Sequence, residues 1–364
     1  MTRASSRTVP IAKAVGDKVL IAMSGGVDSS AAALLLKRRG YDCVGCTMKL
    51  YENTDIGMNC RRTCCSLEDV EDARAAAFRL GIPYYVFNFK DAFREAVMEK
   101  FATGYENGLT PNPCVACNQY LKFGKLLDRA KVLGFRYLAT GHYAKIEQRA
   151  GRYILKKALD ESKDQSYFLY GMTQDQLSHT LFPLGGLRKS EVRQIAREAG
   201  LLNAEKPDSQ DICFAPDGDY AAAVERISGR VSPPGSFVSL DGRVLGTHRG
   251  IVRYTVGQRR GLGISASEPL YVCGISAKNN TVLLGGKEEL LRSWVEAGDF
   301  RWISGKAPDK PIRCGVKLRN TQTERPAFAV PLGENSVRIL FDEPQRAAAP
   351  GQAAVLYDGD TVLG

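Results

Sequence analysis

Residues 19–30 read Val-Leu-Ile-Ala-Met-Ser-Gly-Gly-Val-Asp-Ser-Ser. The apolar run from Val19 to Met23 has the length and composition of a buried strand. It breaks at Ser24-Gly25-Gly26, after which Ser29–Arg39 reads as a helix that ends at Gly40. A strand feeding a glycine turn at a helix N-terminus leaves backbone N–H groups unpaired and adds the positive end of a helix dipole. That combination is a phosphate site. The spacing matches neither the P-loop G-x-x-x-x-G-K-[ST] nor the dinucleotide G-x-G-x-x-G.

Outward from this unit, strand and helix alternate through the first 140 residues. Strands are expected at Tyr41–Leu50, Tyr84–Phe89 and Phe135–Thr140. Helices are expected from Ser66 (with Asp69 as a capping signal), from Asp91, and from Asn118 as a cap. Such alternation predicts an α/β, doubly wound parallel sheet that binds its ligand at the carboxyl ends of the strands. Residues 150–216 are mixed, with helical stretches near Gln174–His179 and Glu191–Gly200. Beyond about residue 217 the texture becomes β-rich and punctuated, with Asp241-Gly242 as a hairpin turn. The expected division is 1–216 for the N-terminal domain, 217–290 for a small β-rich central domain and 291–364 for a C-terminal β-barrel.

Composition bounds the function. The chain has 364 residues, 44% of them hydrophobic and 25% charged, as in an ordinary soluble globular protein. Its uncharged apolar runs fall well short of the ~20 residues that cross a bilayer. Arg3, Arg7 and Lys13 near the start have no apolar core between them, which argues against a secretory signal and for the cytoplasm. A formal charge of +10 favours a polyanionic partner.

Ten cysteines are too few for a disulfide scaffold and too clustered to be scattered core thiols. In a cytoplasmic setting such clusters read as metal-binding or redox-active. Cys117 follows a loop stiffened by Pro111 and Pro113 and precedes Asn118, so a helix N-terminus is expected to lower its thiol pKa. Cys213 lies in the polar stretch Lys206–Phe214. Cys43, Cys46, Cys273 and Cys314 fall in apolar runs and read as core.

Ser-Gly-Gly-x-Asp-Ser resembles the PP-loop of ATP pyrophosphatases. Six further stretches, in order, make the whole chain resemble the tRNA-specific 2-thiouridylase family. They are 110–118 (Thr-Pro-Asn-Pro-x-x-x-Cys-Asn), 140–144 (Thr-Gly-His-Tyr-Ala), 163–169 (Lys-Asp-Gln-Ser-Tyr-Phe-Leu), 208–214 (Asp-x-x-x-Ile-Cys-Phe), 255–262 (Thr-Val-Gly-Gln-Arg-Arg-Gly-Leu) and 350–355 (Pro-Gly-Gln-x-Ala-Val). The resemblance implies ATP and Mg²⁺ as cofactors, adenylation of the 2-carbonyl of the wobble uridine, and sulfur transfer from a persulfide on Cys213 that Cys117 resolves. It implies an ATP site of Ala22, Met23, Ser24, Gly25, Gly26, Val27, Asp28, Ser29, Met48 and Gly141. Asn112, Pro113 and Cys114 would lie near the target base. His142, Lys163, Asp164, Gln165, Arg319, Asn320 and Gln352 would contact tRNA. The partners implied are a tRNA anticodon loop, from which the base must be flipped, and a sulfur-relay donor such as a cysteine desulfurase or carrier; no membrane is implied.

Two departures open alternatives. Many family members carry Asp where this chain has Cys114, and Cys114, Cys117 and Cys213 together resemble the [4Fe–4S] ligands of other PP-loop thiolases. Cys60, Cys64 and Cys65 form a second cluster, readable as a zinc site or as free thiols. The family's Arg-aromatic pair is here Arg319-Asn320. Arg249, Arg253, Arg259 and Arg260 around Tyr254 suit phosphate contact and base stacking. Rival readings are an amidotransferase-type ATP pyrophosphatase, which has no use for paired cysteines, and a non-catalytic RNA-binding sensor, which has none for a pyrophosphate cradle.

Overall fold

The computed structural model describes residues 16–57, 67–208, 211–346 and 348–364. Cys60, Cys64, Cys65 and Ser66 lie outside them. Strands β1 (Lys18–Ala22), β2 (Asp42–Lys49), β3 (Tyr84–Asn88) and β4 (Tyr137–Ala139) alternate with helices α1 (Val27–Arg38) and α2 (Leu67–Leu80) and with helical stretches 90–106 and 113–132. A hairpin, β5 (Lys145–Arg149) and β6 (Arg152–Lys156), follows before β7 (Thr180–Leu181) completes the first sheet. Its order is β3-β2-β1-β4-β7, and every pairing is parallel.

The period of two along β1 explains the layering. Val19 and Ile21 belong to a core shared with Ala33 of α1, Ala73 and Ala77 of α2, and Ala196 of the helix Lys189–Glu198. Leu20 points to the opposite core, built with Phe93, Phe101, Leu121 and Leu127. A strand buried on both faces reads as one unbroken apolar run, as observed. Cys43 and Cys46 are buried in β2, where desolvation pushes their thiols up to about 11 and about 12. Both are core residues.

The second sheet contains β8 (Gly235–Ser239), β9 (Val244–His248), β10 (Tyr271–Ser276) and β11 (Thr281–Gly285) in the order β10-β11-β8-β9. Asp241-Gly242 does turn β8 into β9: Ser239 N–H donates to Arg243 O at 2.9 Å, and Gly242 has φ +86°. Ahead of it stands the helix Tyr220–Ser228, inside the stretch read as β-rich. Its Ala221, Ala223, Val224 and Ile227 form an apolar face that the later strand texture masked.

The third sheet adds β12 (Leu291–Ala297), β13 (Ile312–Lys317), β14 (Arg325–Pro331), β15 (Val337–Arg346), β16 (Val355–Asp358) and β17 (Thr361–Val362). It also takes in the early hairpin, in the order β12-β15-β14-β13-β16-β17-β6-β5. Thr361 pairs with Lys156, Lys157 N–H donates to Asp360 O at 2.8 Å, and Lys156 Nζ meets the Asp360 carboxylate at 2.9 Å. Residues 145–156 therefore join, through β6 and β17, the sheet built by the last strands. Cys314 is buried in this sheet, whereas Cys273 is only half-buried on β10.

No helix among the described residues is long and apolar enough to cross a membrane.

Candidate active site

The strand order reverses between β1 and β4, so the segments leaving their carboxyl ends diverge and open a crevice. Ser24-Gly25-Gly26 crosses its floor. Gly25 has φ +77°, and a Cβ there would lie 2.4 Å from the Asp69 carbonyl oxygen at the start of α2. Gly26 is extended at the N-cap of α1. Ser29 Oγ and Ser30 Oγ both donate to Gly26 O, at 3.1 and 3.2 Å, and Ser24 N–H donates to Ser29 Oγ at 3.2 Å. From behind, Asn203 Nδ2 donates to Gly25 O and to Ser30 Oγ, both at 2.9 Å. Asn203 was not singled out in the sequence, because nothing in its neighbourhood forms a motif. On the β4 side, a Cβ on Gly141 would lie 2.7 Å from Ser29 N, so glycine allows this exit to rest on α1.

A cavity of about 590 Å³ opens above the loop. Ala22, Met23, Ser24, Gly26, Val27, Asp28 and Ser29 line it, with Met48 and Gly141. Gly25 does not; it shapes the turn from beneath. Cys114, Cys117 and Cys213 line the same cavity, with Pro113. The fold thus brings together two cysteine segments that lie far apart in the chain.

An ion-pair network ties Asp28, at the start of α1, to the Cys213 segment. Lys189 Nζ, on a side chain only 11% exposed, reaches Asp28 Oδ1 and Oδ2 at 2.8 and 2.7 Å and Asp208 Oδ1 at 2.7 Å. Lys163 and Arg193 complete the shell of Asp208 at 2.8 and 3.2 Å. Desolvation opposes ionisation of Asp208, but hydrogen bonds and charge from Lys163 and Lys189 win and hold it at about 2. Tyr143 OH donates to Asp28 Oδ1 at 2.7 Å. Lys189 had no sequence signal of its own.

The surroundings of Cys117 differ from the expectation. The helix begins at Pro113, and its cap is Asn112, whose Oδ1 accepts from Cys114 N–H at 3.1 Å and Val115 N–H at 3.4 Å. Asn118 is buried within the helix, its Nδ2 donating to Phe168 O at 3.3 Å. Cys117 therefore lies inside the helix and gains little from the dipole. Burial raises its thiol pKa, and Lys122 only partly offsets this. Its alkylation by iodoacetamide, followed by peptide mass spectrometry, should still accelerate as pH rises past 9, the ordinary thiol value. A plateau below pH 8 would contradict that environment.

Comparison with known proteins follows these features along the chain. Three family models match: the tRNA methyl transferase HUP domain over residues 17–217, the tRNA methyl transferase PRC-barrel domain over 225–286, and the aminomethyltransferase beta-barrel domain over 292–364. The tRNA-specific 2-thiouridylase MnmA of Clostridioides difficile is 48% identical over 349 residues, 95% of this chain and 96% of the relative. That of Acetivibrio thermocellus is 48% identical over 350 residues, 95% and 98% of the two chains. The chain belongs to the tRNA-specific 2-thiouridylase family.

The remaining residues matched to this 2-thiouridylase family fall into two groups. His142, Lys163, Asp164, Gln165 and Asn320 line the cavity; Asn112, Arg319 and Gln352 do not. His142 is buried between Phe123 and Phe182, with Nδ1 2.7 Å from Thr140 Oγ1. Burial, helped by Lys122, holds it well below 6.5 and therefore neutral at pH 7. The Asp164 carboxylate accepts from Ala158 N–H and Ser166 Oγ, at 2.9 and 2.7 Å, and Gln165 Oε1 accepts from Tyr143 N–H at 2.9 Å. Both brace the wall. Gln352 Nε2 donates to Thr110 O at 2.6 Å, and Thr110 N–H donates to Pro350 O at 2.8 Å, so 350–352 docks on the loop ahead of the Pro113 helix. Arg319 donates to Val256 O at 3.0 Å.

Tyr254 is no stacking platform. It is buried against Phe237 and His248, and Arg253 is paired with Glu225 at 3.1 Å. Arg249, Arg259 and Arg260 remain exposed. The iron–sulfur expectation also meets the geometry: among the described residues no three His, Cys, Asp or Glu side chains converge as a metal-ligand group, Cys114, Cys117 and Cys213 included. They share a cavity without forming a ligand set.

Proposed function

We propose that the chain uses ATP to replace the 2-oxygen of the wobble uridine of tRNA with sulfur. The observation that carries this reading is a single cavity whose floor is the Ser24–Ser29 loop and whose walls hold Cys117 and Cys213. The relatives' names agree with it. A phosphate loop beside two cysteines serves sulfur transfer better than the methyl transfer named in two family-model descriptions.

The loop N–H groups and the start of α1 bind the phosphates. Asp28, whose carboxylate Lys189 and Tyr143 already engage, is the hard oxygen donor of the loop that lines the cavity. With phosphate oxygens as the other partners it would hold Mg²⁺, which would neutralise charge on the departing pyrophosphate. The uridine O2 attacks the α-phosphorus, pyrophosphate leaves, and C2 becomes electrophilic with AMP as its leaving group. The outer sulfur of a Cys213 persulfide attacks C2, and AMP departs with the oxygen. The Cys117 thiolate then attacks Cys213 Sγ and breaks the S–S bond to the base. That step leaves 2-thiouridine and a Cys117–Cys213 disulfide, which an external thiol reduces before the sulfur donor reloads Cys213. Residues 1–216 would supply this chemistry, and the segments 217–290 and 291–364 would present the tRNA.

The test measures AMP release and thionucleoside formation with tRNA, ATP and a cysteine desulfurase as donor. AMP release should require tRNA. Cys117→Ser and Cys213→Ser should each abolish the thionucleoside while adenylation of the tRNA persists. Thiolation that survives the double substitution would overturn the sulfur route.

A further inference from the structure

Three lysines line the cavity: Lys122, Lys163 and Lys206. Lys163 is paired with Asp208, and Lys206 with Asp69 and Asp72 at 2.7 and 2.5 Å. Lys122 differs. Its side chain is partly buried, and its ammonium has no hydrogen-bond or ion-pair partner among the described residues. A cation that faces a cavity with no counter-charge of its own is a ready partner for an anionic ligand.

Its position comes from a local irregularity of the helix. Residues Cys117–Leu126 form a π-helical stretch, and Gly124 departs from helical geometry at φ −97°, ψ −107°. In an α-helix, residues five apart stand about 140° apart around the axis. The wider i→i+5 turn brings them to nearly the same face. Lys122 is five residues beyond Cys117, and both reach the cavity. The Lys122 charge acts on Cys117 and also on His142. His142 directly follows Gly141, which rests on Asp28 and Ser29. Lys122 thus shares the cavity with the Ser24–Ser29 loop and with Cys213, close enough to Cys117 and His142 for its charge to act on both.

We propose that Lys122 is a catalytic residue that binds the phosphate of the AMP leaving group. This rests on the function proposed above. If pyrophosphate departs at the loop and sulfur arrives from the cysteines, the phosphorus joining nucleotide to base lies between them, beside Lys122. The ammonium stabilises charge as the α-phosphorus is attacked, and again as AMP leaves C2. No proton transfer is needed, since the lysine acts as a fixed positive charge.

The test has a binding arm and a kinetic arm. By equilibrium dialysis, Lys122→Met should bind AMP about tenfold more weakly, the effect of one charged hydrogen bond, yet bind adenosine as the parent does. Its tRNA-dependent AMP release should fall by about 100-fold in kcat, as for loss of one oxyanion donor, with KM for ATP little changed. Lys122→Arg should recover part of both. Equal weakening of AMP and adenosine would show a structural role and overturn the proposal. Unchanged AMP affinity, with a weaker tRNA Kd and a salt slope smaller by about one, would assign the lysine to a tRNA phosphate instead. The AMP arm needs no turnover, so it remains decisive even if the parent chain fails to thiolate tRNA.

Discussion

Gly25→Ala should lower ATP- and tRNA-dependent AMP release by at least about 100-fold, whereas Gly26→Ala should cost far less. At Gly25 two effects combine. A left-handed φ of +77° costs an L-residue about 1–2 kcal/mol, and the new methyl would lie 2.4 Å from the Asp69 carbonyl oxygen. That oxygen belongs to the backbone, so the loop or the start of α2 must shift. A displacement of about 1 Å in a positioning element is enough for a 100-fold loss. Gly26 has an extended backbone, φ −84° and ψ 161°, and a Cβ there meets only Ser24 Oγ at 3.6 Å. Comparable loss from the two substitutions would show that the effect comes from crowding the ligand and not from the turn.

Lys189→Met should destabilise the chain by about 2–3 kcal/mol in urea unfolding and also suppress AMP release. Removing one partner of a buried ion pair leaves the other charge uncompensated, and about 3–5 kcal/mol is typical of full burial. Here the carboxylates are 30% and 27% exposed, which reduces the figure. Asp208 retains Lys163 and Arg193, but Asp28 retains only the Tyr143 hydroxyl among the bonds described above. The loss therefore falls on Asp28, in the first turn of α1. Asp28→Asn combined with Lys189→Met should cost less than the sum of the two single changes. Strict additivity, or a Lys189→Met effect below about 0.5 kcal/mol, would place the network among surface pairs of little consequence.

The parallel sheet and its loop were legible because their signals are local. Apolar runs, a glycine turn and helical spacing lie within a few residues of one another, and β1, α1 and the Asp241-Gly242 hairpin follow the pattern closely. The Tyr220–Ser228 helix escaped because its apolar face is short, half of it alanine, and strand-like texture follows it directly. The cap at Asn112 was missed because Asn118, a residue of the same type, stands nearer the cysteine. Lys122, Lys189 and Asn203 were out of reach for another reason. Each matters through partners supplied by distant segments, or through a π-helical turn that ordinary helical spacing hides. The Tyr254 stretch shows the opposite error: a basic-aromatic pattern gave no sign that its ring belongs to the core.

The pairing of β6 with β17 bears on how the molecule is made. During synthesis the phosphate loop, both cysteines and the hairpin β5–β6 leave the ribosome long before residues 361–362 exist. Until then the free edge of β6 offers unpaired amides and carbonyls to any passing strand. The nascent chain is therefore exposed to mispairing during that interval. Because Asn320 lines the cavity and 350–352 hold the Thr110 loop ahead of the Pro113 helix, translation must run well into the last sheet before the cavity acquires its full wall and that loop its last support.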